Sequence, residues 1–81
     1  MEQQYVPPTG EEFIRFINRM LENNDEICDA LAIGSDELSR YMIGEKPVPF
    51  PVWYTLVHRL TRSEITPLGW RGQVWVKMGI Q

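Results

Sequence analysis

Apolar residues recur three and four positions apart through much of this chain, and that spacing places them on one face of a helix. The pattern occurs at residues 9–23, 24–31, 35–43 and 52–61, with polar residues between. The sequence therefore predicts four helices around a shared core. Their inward faces are expected to carry Phe13, Ile17, Met20, Leu21, Ile27, Cys28, Leu31, Leu38, Tyr41, Trp53, Leu56, Val57 and Leu60.

Local signals mark where three of these helices begin. Thr9 followed by Glu12 predicts a capping box, in which each side chain binds the other residue's backbone N–H. Asn23 or Asn24 is expected to cap the second helix and Ser35 the third, because these side chains accept hydrogen bonds from a first helical turn. Each predicted start also holds acidic residues, which the helix dipole favours.

A short break separates the second and third helices. Gly34 is expected to take the unusual backbone angles of a tight turn. Small residues at Cys28 and Ala32 would let the two helices cross closely, with Leu38 filling the angle between them. This arrangement predicts a helix-turn-helix whose second helix is offered to a partner.

The last part of the chain has a different pattern. Residues 73–78 are rich in β-branched and aromatic side chains between two glycines, which predicts a β-strand. Since a lone strand needs a pairing partner, we expect two copies to pair these strands in a homodimer. The alternative is that the tail folds back and Trp70 and Trp75 complete the core. The dimer contact would involve Val74, Trp75, Val76 and Met78.

The chain's 81 residues are enough for one small domain. We expect residues 1–8 to form a flexible arm, because Pro7 and Pro8 favour extended backbone. Residues 9–62 would form the helix-turn-helix domain, and residues 63–81 a C-terminal extension that contains the strand.

The spacing of Cys28, Ala32 and Leu38 resembles the motif of the Cro/C1-type, or lambda-repressor-like (XRE-like), helix-turn-helix domains. That motif has a small residue, a second one four positions later and an aliphatic residue six further on. The turn at residues 44–49 is also similar, and the likeness extends from Thr9 to about Leu60. The family's other apolar positions are occupied here by Ile27, Leu31, Ile33 and Tyr41.

This resemblance implies a mainly α, compact domain of four to five helices, here with a short C-terminal β-strand. It also implies a small sequence-specific DNA-binding transcriptional regulator, such as a repressor, of phage or mobile-element type. Its partner would be double-stranded operator DNA, and it would act as a homodimer on a palindromic site. The residues expected to contact DNA are Asn24, Ser35, Asp36, Ser39, Arg40 and Lys46.

Two of these positions allow more than one interpretation. An ionised Asp36 would accept a hydrogen bond from a cytosine amino group and repel phosphates, or it would only stabilise the start of its helix. Met42 and Ile43 would either form an apolar patch beside the reading face or seal the core.

Charge keeps a second function open. The net charge is −3, and residues 23–50 hold six acidic residues against only Arg40 and Lys46. DNA-binding domains are usually basic, because neutralising phosphates supplies much of their affinity. The alternative is a protein-binding module on the same fold, such as a phage-encoded inhibitor, antirepressor or antitoxin, with a host or phage protein as its partner.

Other classes of function lack the residues they need. The single cysteine excludes an internal disulfide and cannot alone form a structural zinc site. No arrangement of nucleophile, base or paired acids predicts an enzyme, and no cofactor is expected. No apolar run reaches the roughly 18 residues of a membrane span, and no signal peptide is expected at the N-terminus, so we expect a cytoplasmic protein.

Overall fold

The computed structural model describes residues 4–78, with side chains described as far as Val74. This part of the chain is mainly helical and contains no strand. The four predicted helices are all present, and a fifth follows them. The helices are α1 (Gly10–Arg19), α2 (Asn24–Leu31), α3 (Ser35–Met42), α4 (Phe50–Thr61) and α5 (Trp70–Met78).

The predicted strand at residues 73–78 was wrong, because these residues lie within α5. Trp70 and Val74 are four residues apart and only 2% and 1% exposed, which is helical rather than alternating burial. Packing against α4 thus overrides the β-propensity of the segment.

The predicted pairing of strands between two copies therefore lacks the strand that it requires. Val74 is buried within its own chain, and the side chains of Trp75, Val76 and Met78 lie outside the described part of the structure. The alternative, in which the tail folds back over the helices, agrees with the burial of Trp70.

Two of the predicted helix starts are as expected. The Thr9 hydroxyl accepts the Glu12 N–H at 3.2 Å, and the Glu12 carboxylate accepts the Thr9 N–H at 2.9 Å. Asn23 caps α2 in the same reciprocal way with Glu26, at 2.8 and 3.2 Å. These contacts span only three residues, which explains why the sequence alone reveals them.

The start of α3 differs from the prediction. Gly34 is the residue before the helix and Ser35 is its first residue, so the Ser35 side chain does not cap it. Instead the Glu37 carboxylate accepts the Gly34 N–H at 3.3 Å. Glu37 therefore stabilises the start of this helix.

The left-handed residue of the α2–α3 turn is Ala32, with φ 57° and ψ 43°, whereas Gly34 has an ordinary extended conformation. The Ile33 N–H donates to the Cys28 carbonyl at 3.0 Å, and the Ala32 N–H donates to the Asp29 carbonyl at 3.3 Å. This pair of bonds is a Schellman motif, which closes a helix and reverses the chain. Because the Ala32 side chain is exposed, it does not form the expected close helix crossing.

The end of α1 also departs from the prediction. The helix ends at Arg19 rather than near Asn23. Leu21 has a positive φ of 57° and is 93% exposed, so it does not belong to the core. The turn to α2 therefore begins at Met20, directly after the helix.

Aromatic side chains form the centre of the core. Trp53 of α4 is fully buried, and its ring lies 4.8 Å from that of Phe16 and 6.4 Å from that of Phe13. Trp70 of α5 packs edge-on against it at 5.0 Å. One set of rings therefore joins α1, α4 and α5.

The N-terminal segment contacts the helices. The Tyr5 hydroxyl donates to the Val48 carbonyl at 2.8 Å, and the Trp70 indole N–H donates to the Val6 carbonyl at 2.8 Å. Arg71 of α5 pairs with the Glu12 carboxylate in the first turn of α1. Residues 5–12 are thereby held against α5 and the loop before α4.

Gly10 sets how closely α1 approaches α3. A Cβ atom at this position would lie only 2.7 Å from the Met42 carbonyl oxygen and 3.1 Å from the Gly44 nitrogen. Both are backbone atoms, so they cannot move aside without shifting the end of α3. The missing side chain therefore lets α1 support α3.

In the described part of the chain, no helix has the length and apolar character that a membrane crossing requires.

We expect Ala32→Gly to stabilise the fold, because glycine removes the cost of a left-handed alanine. The gain should be about 0.5–1 kcal/mol in the free energy of unfolding. Ala30→Gly is the matched control inside α2 and should destabilise by about 0.5–1 kcal/mol. Urea unfolding followed by circular dichroism measures both. An Ala32→Gly protein no more stable than the parent would contradict the strain at this turn.

Candidate functional site

The outer face of α3 is the main candidate site, and we define it as Ser35, Asp36, Ser39, Arg40 and Ile43. All five side chains are exposed. The structure thus places four of the expected DNA-contact residues side by side on one helix.

The inner face of α3 fixes the orientation of this surface. Leu38 and Tyr41 are each 2% exposed, and the Tyr41 ring packs edge-on against Phe13 of α1 at 5.7 Å. The helix is also closed by a Schellman motif at Gly44, whose φ is 78°. Since both its inner face and its end are fixed, α3 presents its outer face in one orientation.

Both basic residues of this region are paired with acids of α3. The Arg40 Nη2 atom lies 3.3 Å from the Asp36 Oδ2 atom, one helical turn away. The Lys46 Nζ atom lies 3.5 Å from the Glu37 Oε2 atom and 6.0 Å above the Tyr41 ring. The region's only cations are therefore partly neutralised within the molecule.

The start of α2 is the second part of the expected DNA contact. Asn24 is the first residue of the helix and is exposed. Within the described residues, the backbone N–H groups of Asn24 and Asp25 have no hydrogen-bond partner, because the reciprocal cap occupies only those of Asn23 and Glu26. Two amides thus remain for an anion, although Asp25 and Glu26 carry negative charge beside them.

The exposure of Ile43 and Met42 decides between the two interpretations given above for these residues. The Ile43 side chain is 70% exposed, whereas Met42 is half-buried against the core. The alternative in which both residues seal the core is therefore wrong for Ile43. A single apolar side chain remains at the C-terminal end of the outer face of α3.

Outside α3, the titratable residues in the part of the chain that the structure describes bear on two further kinds of site, a reactive thiol and a metal centre. Burial raises the pKa of the Cys28 thiol, and the charges of Asp25 and Asp29 raise it further, which disfavours a reactive thiolate. Among the described residues, no group of His, Cys, Asp and Glu side chains could hold a metal ion.

A row of aromatic side chains lies along α4, and the sequence did not reveal that Phe50 and Tyr5 belong to it. Phe50, Tyr54 and His58 follow one another at four-residue intervals, and Tyr5 packs edge-on against Phe50 at 5.4 Å. The Tyr54 and His58 rings stack at 5.9 Å with an interplanar angle of 9°. The helical spacing could have indicated the row, but the contribution of Tyr5 depends on tertiary contacts.

A groove between α4 and α5 was also not foreseen, because its second wall was predicted to be a strand. Its volume is about 410 Å³. The groove is lined by Val57, Thr61, Ser63, Glu64, Ile65, Gly72, Gln73 and Val74.

Comparison of the chain with protein-family models, with curated proteins and with solved structures gives no match. The function must therefore be inferred from the chain's own residues.

We expect Arg40→Ala and Lys46→Ala each to change the free energy of unfolding by no more than about 0.5 kcal/mol, because exposed ion pairs contribute little. Leu38→Ala should instead cost about 2–5 kcal/mol, since it opens a cavity beneath α3. Denaturant unfolding compares the three. A large loss in either charge variant would mean that the pairs support the fold, and its binding data could not then be interpreted.

Proposed function

We propose that this chain is a small sequence-specific DNA-binding transcriptional regulator with a lambda-repressor-like helix-turn-helix, in which α3 enters the major groove. The observation that carries the proposal is the outer face of α3, where Ser35, Ser39 and Arg40 are exposed. The inner face of the same helix is packed against the core. An α-helix fits the major groove of B-DNA, where every base pair presents a distinct pattern of donors and acceptors.

The proposed contacts follow from the chemistry of these side chains. Arg40 donates two hydrogen bonds to guanine, and Ser35 and Ser39 donate to or accept from neighbouring base edges. Lys46 contacts a phosphate from the loop after α3. The free amides at Asn24 hold a second phosphate at the start of α2.

The acidic environment does not prevent these contacts. Arg40 and Lys46 are about half exposed, and exposed ion pairs are weak, so the paired carboxylates do not prevent either cation from binding a DNA group. Six acids in residues 23–50 nevertheless repel the DNA backbone. Affinity then depends more on base contacts than on general attraction to phosphates.

A homodimer remains part of the proposal, because helix-turn-helix proteins commonly place two copies on the halves of a palindromic site. Its contact would not be the strand pairing expected from the sequence, since residues 73–78 are helical.

We expect Arg40→Ala to reduce discrimination at one base pair by about 1–3 kcal/mol. Lys46→Ala should weaken all DNA sequences alike and lower the dependence of affinity on salt, because it removes one phosphate contact. Gel-shift titrations on a selected site, its single-pair variants and random duplex at several salt concentrations measure both effects. Equal, sequence-independent losses in the two variants would exclude Arg40 as a reader of bases.

The second candidate function is a protein-binding module on the same fold. It is favoured by the pairing of both cations with acids and by the exposure of Ile43, since an acidic surface with one apolar side chain suits a basic protein partner.

If the second candidate is right, the protein should capture its partner from a host lysate equally well with and without nuclease. Asp36→Asn combined with Glu37→Gln should abolish the capture, while Arg40→Ala should have little effect. Calorimetry with the captured protein measures the affinities, and circular dichroism checks that the double variant is folded. Capture that disappears with nuclease would instead support DNA as the partner.

A further inference from the structure

The side chains of Asp36 and Arg40 form an isolated pair on the outer face of α3. They are one helical turn apart, in contact at 3.3 Å, and 80% and 50% exposed. Neither side chain has another hydrogen-bond partner or ion pair among the described residues. Within this described part of the chain, each of the two side chains therefore has a polar contact only with the other.

The contact joins one guanidinium nitrogen to one carboxylate oxygen, so most of the hydrogen-bonding capacity of both groups remains available. Arginine carries five N–H donors, and an ionised carboxylate has about four acceptor positions. The pair can thus stay together while Arg40 donates and Asp36 accepts toward a third molecule. The pair therefore presents the N–H donors of Arg40 and the carboxylate acceptor of Asp36 side by side.

A G·C base pair is complementary to this arrangement. In the major groove, guanine offers two neighbouring acceptors, N7 and O6, and cytosine offers the N4 amino donor beside them. An A·T pair presents the adenine amino donor where guanine has O6, so it cannot accept both hydrogen bonds from Arg40. It also places the thymine O4 acceptor toward Asp36, which can only accept.

We propose that the Asp36–Arg40 pair reads one G·C base pair as a single unit, with Asp36 as a specificity-determining residue. This inference rests on the proposed DNA-binding function and names the base pair that the site selects. At a base pair that places no amino donor toward it, the Asp36 carboxylate is desolvated and gains no hydrogen bond from the base pair to replace its lost water, which is costly. Asp36 therefore weakens binding to DNA sequences that offer no amino donor at this position, and Arg40 requires guanine beside it.

The chain contains a matched control for the charge of Asp36. Asp25 is the second residue of α2, as Asp36 is the second residue of α3, and both are exposed acids in a first helical turn. Asp25→Ala removes the same charge and the same helix-dipole interaction without touching Arg40. A difference between the two variants therefore reports the pair rather than net charge.

The test uses the full chain and a pool of random duplex DNA. Sites are first selected with the parent protein, and the affinities for the selected site, for its G·C→A·T variants and for random duplex are then measured. For the parent, replacing the critical G·C pair should weaken binding about tenfold or more. In Asp36→Ala that ratio should fall by at least about threefold, while binding to random duplex becomes tighter.

Asp25→Ala should tighten binding to all duplexes alike and leave the ratio unchanged. The double variant Asp36→Ala/Arg40→Ala should discriminate no worse than Arg40→Ala alone, because a unit is lost when either member is removed.

Three results would overturn the inference, and the first two can be distinguished from the third. If the parent selects a site but Asp36→Ala keeps the full ratio, or if the effects of the two single variants simply multiply, the pair is not a unit although the protein binds DNA. If the parent selects no sequence at all, the proposed function itself fails.

Discussion

The contact between Trp53 and the rings around it is the interaction on which the other parts of this structure depend. Phe13 and Phe16 reach it from α1, and Trp70 reaches it from α5. A domain of this length buries little surface, so a few large rings must supply much of its core. Because Trp70 also binds the Val6 carbonyl, the same cluster holds the last helix and the N-terminal segment in place.

The position of the candidate site follows from that core. Phe13 contacts Trp53 on one side and Tyr41 of α3 on the other, so the orientation of α3 is linked to the central cluster. Gly10 allows α1 to approach the end of α3 at backbone distance. The outer face of α3 carries no part of this packing. Its residues can therefore serve a partner without a large cost to the fold.

The charges on and beside the outer face of α3 affect how it would interact with nucleic acid. Arg40 and Lys46 would attract nucleic acid, but each lies beside an acid that reduces its field. Exposed pairs of this kind contribute only about 0–1 kcal/mol, so they do not prevent these side chains from forming hydrogen bonds with a partner. Under the proposed DNA-binding function, this would make binding selective rather than strong in general. A G·C base pair would satisfy both members of the Asp36–Arg40 pair, whereas a phosphate would satisfy only the cation.

The sequence alone determined the features that depend on near neighbours. Capping contacts span three residues, so Thr9 could be identified as one helix start and Asn23 or Asn24 as another, and helical spacing placed Arg40 on an open face. Only the tertiary structure showed that residues 70–78 form a helix. The burial of Trp70 and Val74 stabilises α5 although the segment is rich in β-branched residues. The tertiary structure also decided the ion pairs on α3, since side-chain pairing depends on rotamers and on a loop that brings distant residues together. Local hydrogen bonds are encoded locally, whereas burial and charge pairing depend on how the whole chain packs.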